Sequence, residues 1–263
     1  MSLLGFTLQD IRMTVSFFKM NLCERYLGSI LGIYWAAVNP LLMLCIYTFV
    51  FGFIFKAKAP GSDKSLSYVI WLISGLGPWF GISEGITNGS NAVVTQAAIV
   101  KNIVFKTEIL PISASLMGLV PLSVSSLFLF ILIPFGGEKY TWDVLWLLLI
   151  IPLQFAFIVG VSFFVSAITV FIRDMSQLIT SILLLFMFFT PIFYSFEMMP
   201  RIIQKVTFFN PFYQIVDGYR CCVLYHSAPE WKGVLYLAAI STFLWLAGLR
   251  FFGRLKGYFE SCL

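Results

Sequence analysis

Charge is what this 263-residue chain has least of. Asp, Glu, Lys and Arg together make 11% of it, less than half the roughly 25% of an ordinary soluble domain. Six intervals contain none of the four: 26–55, 65–83, 109–137, 144–172, 175–196 and 233–249. With 60% hydrophobic residues besides, a soluble globular domain is excluded. A helix needs about 20 apolar residues to cross roughly 30 Å of hydrocarbon, so each interval reads as one span. The last is short, but Lys232 and Arg250 can snorkel towards the headgroups from its ends. The charge-free stretch 85–100 is not counted, because Asn88, Asn91, Thr95 and Gln96 make it too polar for lipid. The expected fold is all-α: a polytopic membrane protein with six transmembrane helices and no room for a separate soluble catalytic domain.

Other absences narrow the function. No phosphate-binding GxxxxGK[ST] loop is present, so work against a gradient must draw its energy from another subunit. No ionisable group lies inside any interval, which argues against proton or sodium coupling; Glu84 sits only at a span edge. The carboxylates do not cluster, so a membrane-embedded hydrolase or glycosyltransferase would have to rely on Asp10, Glu84 or Glu108, which lie far apart. His226 is the single histidine, and the five cysteines show no CxxC spacing. Cys221, Cys222 and His226 are therefore read as fillers at a membrane surface and no metal is expected, since a closed zinc site wants four ligands. A cleavable signal peptide is not expected either, because Asp10, Arg12, Lys19, Glu24 and Arg25 interrupt any apolar core there. The net charge of +5 suits anionic headgroups and is no sign of nucleic acid. Lys and Arg divide almost evenly between the two sets of loops, so the positive-inside bias sets no orientation.

Against this background the local patterns stand out. Leu8, Ile11, Val15, Phe18 and Leu22 form one helical stripe beside Arg12, Lys19 and Arg25, the pattern of an amphipathic interface helix over 7–25. Thr7 and Asp10 resemble a capping box with the shorter acid. Residues 84–108 read as a long polar loop, and 56–64, 138–143 and 173–174 as short links. In 197–225, Met199, Ile202, Ile203 and Val206 make one stripe, Asn210-Pro211 breaks it, and Ile215, Val216 and Tyr219 begin another. This predicts either an outer re-entrant helical hairpin, which is preferred, or a loop lying in the headgroups. Gly77, Gly81, Gly85 and Gly89 form a ladder that permits close helix approach. Pro40, Pro121 and Pro152 are expected to kink their helices. Aromatics reach 18%. Most belong to lipid and helix packing, but their faces also suit the C–H faces of a sliding sugar polymer. Tyr34, Trp35, Phe188, Phe189, Phe193 and Tyr194 are the candidate channel aromatics.

Arg25-Tyr26, Ser29, Leu31-Gly32, Trp35 and Pro40 resemble the R-Y-x-x-S-x-L-G-x-x-W-x-x-x-x-P signature that opens ABC-2 type permeases of polysaccharide and O-antigen exporters. Leu27 departs from it, where many members carry a second basic residue. Phe171-Ile172-Arg173-Asp174 is similar to that family's F-x-R-D turn. Thr190-Pro191-Ile192-Phe193-Tyr194, Asn210-Pro211 and Arg220 are similar to its fifth-span exit and outer hairpin. The resemblance implies one ABC-2 type transmembrane domain over 1–263, with a cytoplasmic coupling region at 84–108 and a periplasmic hairpin at 197–225. It implies a homodimer in the bacterial inner membrane, both termini cytoplasmic, working with two ABC ATPase subunits. No cofactor would be bound by this chain; ATP and Mg would sit on the ATPases. Lys101, Asn102, Phe105, Lys106 and Glu108 would meet the ATPase, and Arg173 with Asp174 would form a cytoplasmic turn. The cargo would be a polysaccharide on undecaprenyl diphosphate, with Arg25 and Lys19 at the diphosphate. Capsule, teichoic-acid, small-lipid and drug exporters share this architecture, and an ATP-independent scramblase is the alternative from another class.

Overall fold

The computed structural model describes residues 7–55, 65–103, 105–136 and 140–263. The expected link at 56–64 and the start of that at 138–143 lie outside them. Among the described residues all regular structure is helical, in the order α1 Leu8–Arg25, α2 Trp35–Tyr47, α3 Ser65–Thr95, α4 Ala97–Asn102, α5 Ile109–Ser115, α6 Leu119–Gly136, α7 Leu147–Phe171, α8 Met175–Phe189, α9 Arg201–Phe208, α10 Pro211–Val223, α11 Trp231–Leu255 and α12 Phe259–Cys262. Five stretches are long and apolar enough to cross a bilayer: Gly32–Ile54, Leu66–Thr95, Ile109–Gly136, Trp142–Phe171 and Trp231–Cys262.

Three expected spans have different bounds. The first starts at Gly32 rather than 26, because residues 26–31 make turns in which Gly28 and then Gly32 take φ of +78° and +51°. It then ends in π-helical turns over Thr48–Ile54. The second continues unbroken to Thr95, so 84–95 is helix and not loop. Its polar residues, with Gln96 just after it, face the space beside α1 and α5: Asn88, Asn91 and Gln96 are half-buried and Thr95 is exposed. The fifth is shorter: α8 has 15 residues, about 22 Å at 1.5 Å per residue, and the chain leaves helical geometry at Thr190. Pro121 falls in the first turn of α6, where the missing N–H costs no intrahelical bond. The break in that span is instead the 3-10 turn Leu116–Gly118 that joins α5 to α6.

α3 is the axis of the bundle. The most apolar window of its span is 72% buried, against 11% for the span containing α2. The glycine ladder explains how neighbours reach it. An added Cβ would meet Ser125 from Gly77, Leu122 from Gly81, Ile158 from Gly85 and Ser162 from Gly89, so one face of α3 takes both α6 and α7. From the other side Gly118 would place a Cβ 2.2 Å from the Gly81 carbonyl oxygen. α7 meets α11 the same way, with Gly160 against the Leu244 backbone and Gly248 against the Gly160 carbonyl. Between the spans, Tyr219 of α10 donates to Gln154 Oε1 at 2.8 Å, and Gln154 Nε2 donates to the Pro78 carbonyl at 3.1 Å.

The hairpin is the two short helices expected around Asn210-Pro211. Asn210 caps α10 by accepting from the Phe212 N–H at 3.0 Å and donates to Thr190 Oγ1 at 3.2 Å. α10 is buried, including Ile215, Val216 and Tyr219, whereas Ile202, Ile203 and Val206 of α9 are exposed. The non-helical stretch after α8 is served from the protein interior. Arg220 donates to the carbonyls of Pro191 (2.7 Å) and Ile192 (3.0 Å), and Tyr68 donates to that of Phe193 (3.4 Å). The Arg220 guanidinium also lies 3.8 Å from the Trp71 ring centroid.

The contact at Gly118 gives a direct test. Gly118→Ala should lower stability by about 1–3 kcal/mol, because its Cβ meets backbone that cannot swing aside. Gly253→Ala, with nothing within 4 Å, should be neutral or slightly stabilising. Thermal unfolding of both variants in detergent, followed by size-exclusion chromatography, separates the two.

Candidate functional site

Where α1, the α4–α5 connection, the α7–α8 turn and the C-terminal helices meet, charged side chains pair across the chain. α1 is capped as expected: Asp10 Oδ2 accepts from the Thr7 N–H at 2.7 Å, and Thr7 Oγ1 accepts from the Asp10 N–H at 3.4 Å. Its apolar stripe, led by Leu8, Ile11 and Val15, is exposed, as an interface helix requires. Its other side packs on α5 and stacks Phe17 on Phe105 at 5.8 Å. Lys106 reaches Asp10 at 2.5 Å, and Lys256 reaches Glu108 at 2.6 Å. Two ion pairs therefore tie the connection after α4 to both ends of the chain. Phe171 and Phe259 meet at the same end, with ring centroids 6.2 Å apart.

Of the five residues expected to face an ATPase, Phe105, Lys106 and Glu108 are thus engaged within the chain. Lys101 and Asn102, on the short helix α4, are exposed. Arg173 and Asp174 form the exposed turn between α7 and α8, where the Asp174 carbonyl accepts from the Gln177 and Leu178 N–H groups at 3.1 Å.

At the C-terminal end of α1, Arg25 pairs with Glu84 of α3. Glu84 Oε1 also accepts from Asn88 Nδ2 at 2.7 Å, so the carboxylate is held from two sides. The pair stands between two cavities. One, of about 470 Å³, lies between α1, α3 and α5 and is lined mainly by polar side chains, among them Asn21, Thr87, Asn88, Asn91 and Gln96. The other, of about 360 Å³, lies between α2, α3 and α6, where Pro40, Met43, Phe80, Val120 and Pro121 stand beside Asn39, Ser83 and Glu84. Arg25 lines both. Lys19 lines neither and is exposed. Six helical residues turn the side chain about 240° around the axis and displace it about 9 Å along it, so the structure does not bring Lys19 to Arg25.

The expected channel aromatics divide. Tyr34, Phe188 and Phe189 are exposed and Trp35 is half-buried. Tyr194 donates to the Phe188 carbonyl at 2.7 Å. Phe193 is buried and stacks on Phe51 at 4.5 Å, a packing contact within this chain. Sequence reasoning missed Glu84 as the partner of Arg25, and Asn88 and Asn91 as cavity wall. The available signal was the polar run Glu84, Asn88, Asn91, Thr95 at helical spacing on an otherwise apolar helix.

The profile of ABC-2 type transporters matches residues 14–224. The chain belongs to the ABC-2 type transporter family. As a member it is the multi-pass membrane component of an ABC transporter system. Two relatives from Klebsiella pneumoniae, each described as O-antigen export system permease protein RfbA, are 30% and 29% identical over 254 and 251 residues. Each alignment covers 92% of both chains. A Myxococcus xanthus protein of the same description is 25% identical over 250 residues, 94% of each chain.

The Asp10 carboxyl lies below its ordinary value of 3.8, held there first by the Lys106 ammonium and then by the Thr7 N–H. A depressed folded value means that the pairing stabilises α1 above about pH 4 and is lost as the pH falls through the lower value. Proteolysis within α1 should accordingly be faster in Asp10→Asn than in wild type at pH 7. That difference should shrink towards zero below about pH 4. A difference that persisted unchanged in acid would contradict the pairing.

Proposed function

We propose that this chain is the membrane-spanning subunit of an ATP-driven exporter that moves undecaprenyl-diphosphate-linked polysaccharide of the O-antigen type across a bacterial inner membrane. The observation that carries the reading is the similarity, over more than nine-tenths of both chains, to relatives described as O-antigen export permeases. The geometry at Arg25 supports it. A guanidinium shared by a cavity with an amide-bearing wall and a second cavity with an apolar side of Pro40, Met43, Phe80, Val120 and Pro121 suits a ligand whose anionic diphosphate joins a polar headgroup to a hydrocarbon tail, and charge-assisted bonds to such an anion are the strong kind.

Two copies of this chain and two ABC ATPase subunits complete the assembly, with ATP and Mg held by the ATPases. The exposed apolar faces of α8 and of the π-helical turns after α2, including Phe49, Phe53, Leu184 and Phe188, support pairing of two copies or contact with lipid. Exposed Lys101 and Asn102 on α4 support contact with an ATPase. Movement of α4 would pass through Asp10–Lys106 and Glu108–Lys256 into α1 and the C-terminal helices. The end carrying both termini would then be cytoplasmic, and the α9–α10 hairpin would form the outer gate. The glycan would slide past exposed aromatics such as Tyr34, Phe188 and Phe189.

Export of lipid-linked glycan to the cell surface tests this. Deleting the protein should trap undecaprenyl-linked polymer inside. Arg25→Ala should slow export about tenfold or more, as loss of a charged hydrogen bond worth about 1.5–3 kcal/mol implies. Unchanged surface glycan in the deletion would overturn the polysaccharide reading in favour of small-lipid or drug export. Trapped polymer with a fully active Arg25→Ala would keep the function and overturn the diphosphate contact.

A further inference from the structure

We propose that the amide-lined cavity between α1, α3 and α5 is a carbohydrate subsite, holding the sugar ring joined to the diphosphate; this rests on the reading of Arg25 as the diphosphate contact. Its volume of about 470 Å³ falls within the roughly 300–1,000 Å³ of ligand pockets. The chemistry of its wall selects the ligand class. Asn88 Nδ2 donates to the Glu84 carbonyl (2.8 Å) and to Glu84 Oε1 (2.7 Å), and Asn91 Nδ2 donates to the Thr87 carbonyl (3.2 Å). Gln96 Nε2 donates to Asn21 Oδ1 at 3.4 Å. The side-chain carbonyl oxygens of Asn88, Asn91 and Gln96 accept no hydrogen bond among the described residues.

Such a wall offers acceptors to a ligand that brings donors. Hydroxyl groups on a sugar ring do so; a phosphate has none to give, and an acyl chain gains nothing there. Glu24, on the wall of the cavity, adds negative charge that disfavours the diphosphate there and leaves it at Arg25, whose charge in turn disfavours a metal cation. Leu110, Ala114 and Met117 supply an apolar side for the C–H face of a ring. The order of surfaces, amide-bearing wall then Arg25 then the apolar side of the second cavity, repeats the order sugar, diphosphate, polyprenyl chain. In the absence of ligand, the Glu84 carboxylate occupies the guanidinium, so an arriving diphosphate takes the place of a carboxylate the protein already supplies.

The test uses the complete permease–ATPase assembly in nanodiscs and two probes: bare undecaprenyl diphosphate, and the same lipid carrying one N-acetylhexosamine. The wild type should bind the glycosylated probe more tightly. Asn91→Leu should weaken that probe about tenfold and leave the bare one unchanged, and Thr87→Val, on the same wall, should act in the same direction. Arg25→Ala should weaken both probes. If both wall variants leave both affinities unchanged while Arg25→Ala weakens them, the subsite is overturned and the diphosphate contact survives. Equal weakening of both probes by the wall variants would mean that the cavity serves packing alone, which also overturns it. If Arg25→Ala weakens neither probe, the diphosphate contact fails and the subsite falls with it.

Discussion

A buried guanidinium holds the α10 end of this molecule together. α8 stops after 15 residues, and the chain that follows carries carbonyls that water cannot reach if they lie at membrane depth. Unsatisfied backbone there costs several kcal/mol per group. Arg220 answers two of these carbonyls, Tyr68 a third, and Asn210 the Thr190 hydroxyl. Arg220 forms no salt bridge among the described residues; its charge is met by carbonyl dipoles and by the face of Trp71. Charged hydrogen bonds of this kind are worth about 1.5–3 kcal/mol each, and a desolvated cation–π contact about 2 kcal/mol. The planar, forked guanidinium suits two neighbouring carbonyls in a way that a lysine ammonium does not. Because Arg220 belongs to α10, Trp71 and Tyr68 to α3, and the carbonyls to the end of α8, one side chain joins hairpin, axis and broken span.

The opposite end is organised by ion pairs instead. There the backbone connections lie near water, where single exposed pairs contribute little. Their value is positional: Asp10–Lys106, Glu108–Lys256 and Arg25–Glu84 each join segments far apart in sequence. The α4–α5 connection is thereby linked to α1 and to the last helices, and α1 is linked to the axis. A push on α4 has a physical route to the wall between the two cavities. This division of labour follows from the scarcity of charge: helices with few charged groups are packed by glycine contacts, and ion pairs join the segments that carry charge.

Much of this was legible in the sequence, and particular residues show why. Charge-free runs mark spans because hydrocarbon tolerates no unpaired charge. Thr7 and Asp10 mark a cap because the two partners are three residues apart, and Asn210-Pro211 marks a hairpin turn for a similarly local reason. The glycine ladder announced close packing but not its partners, since Ser125, Leu122, Ile158 and Ser162 are far away in the chain. The length of α3 was missed because polarity was taken as evidence for a loop, whereas Asn88 and Asn91 stay helical and face the cavity between α1, α3 and α5. The shortness of α8 was missed because 190–196 is as apolar as a helix; only Arg220, thirty residues later, reveals broken backbone. Arg25–Glu84, the pair at the candidate site, spans 59 positions, and no local pattern encodes it.

The most direct measurement is the thiol reactivity of Cys222, which is fully buried on α10 two residues from Arg220. In a variant retaining Cys222 as its only cysteine, a maleimide should react slowly while Arg220 is present. With Arg220→Met, and to a lesser degree Arg220→Lys, the hairpin should loosen and labelling should accelerate by at least tenfold. Equal protection in all three would show that packing alone holds the hairpin, and would contradict the role assigned to the guanidinium.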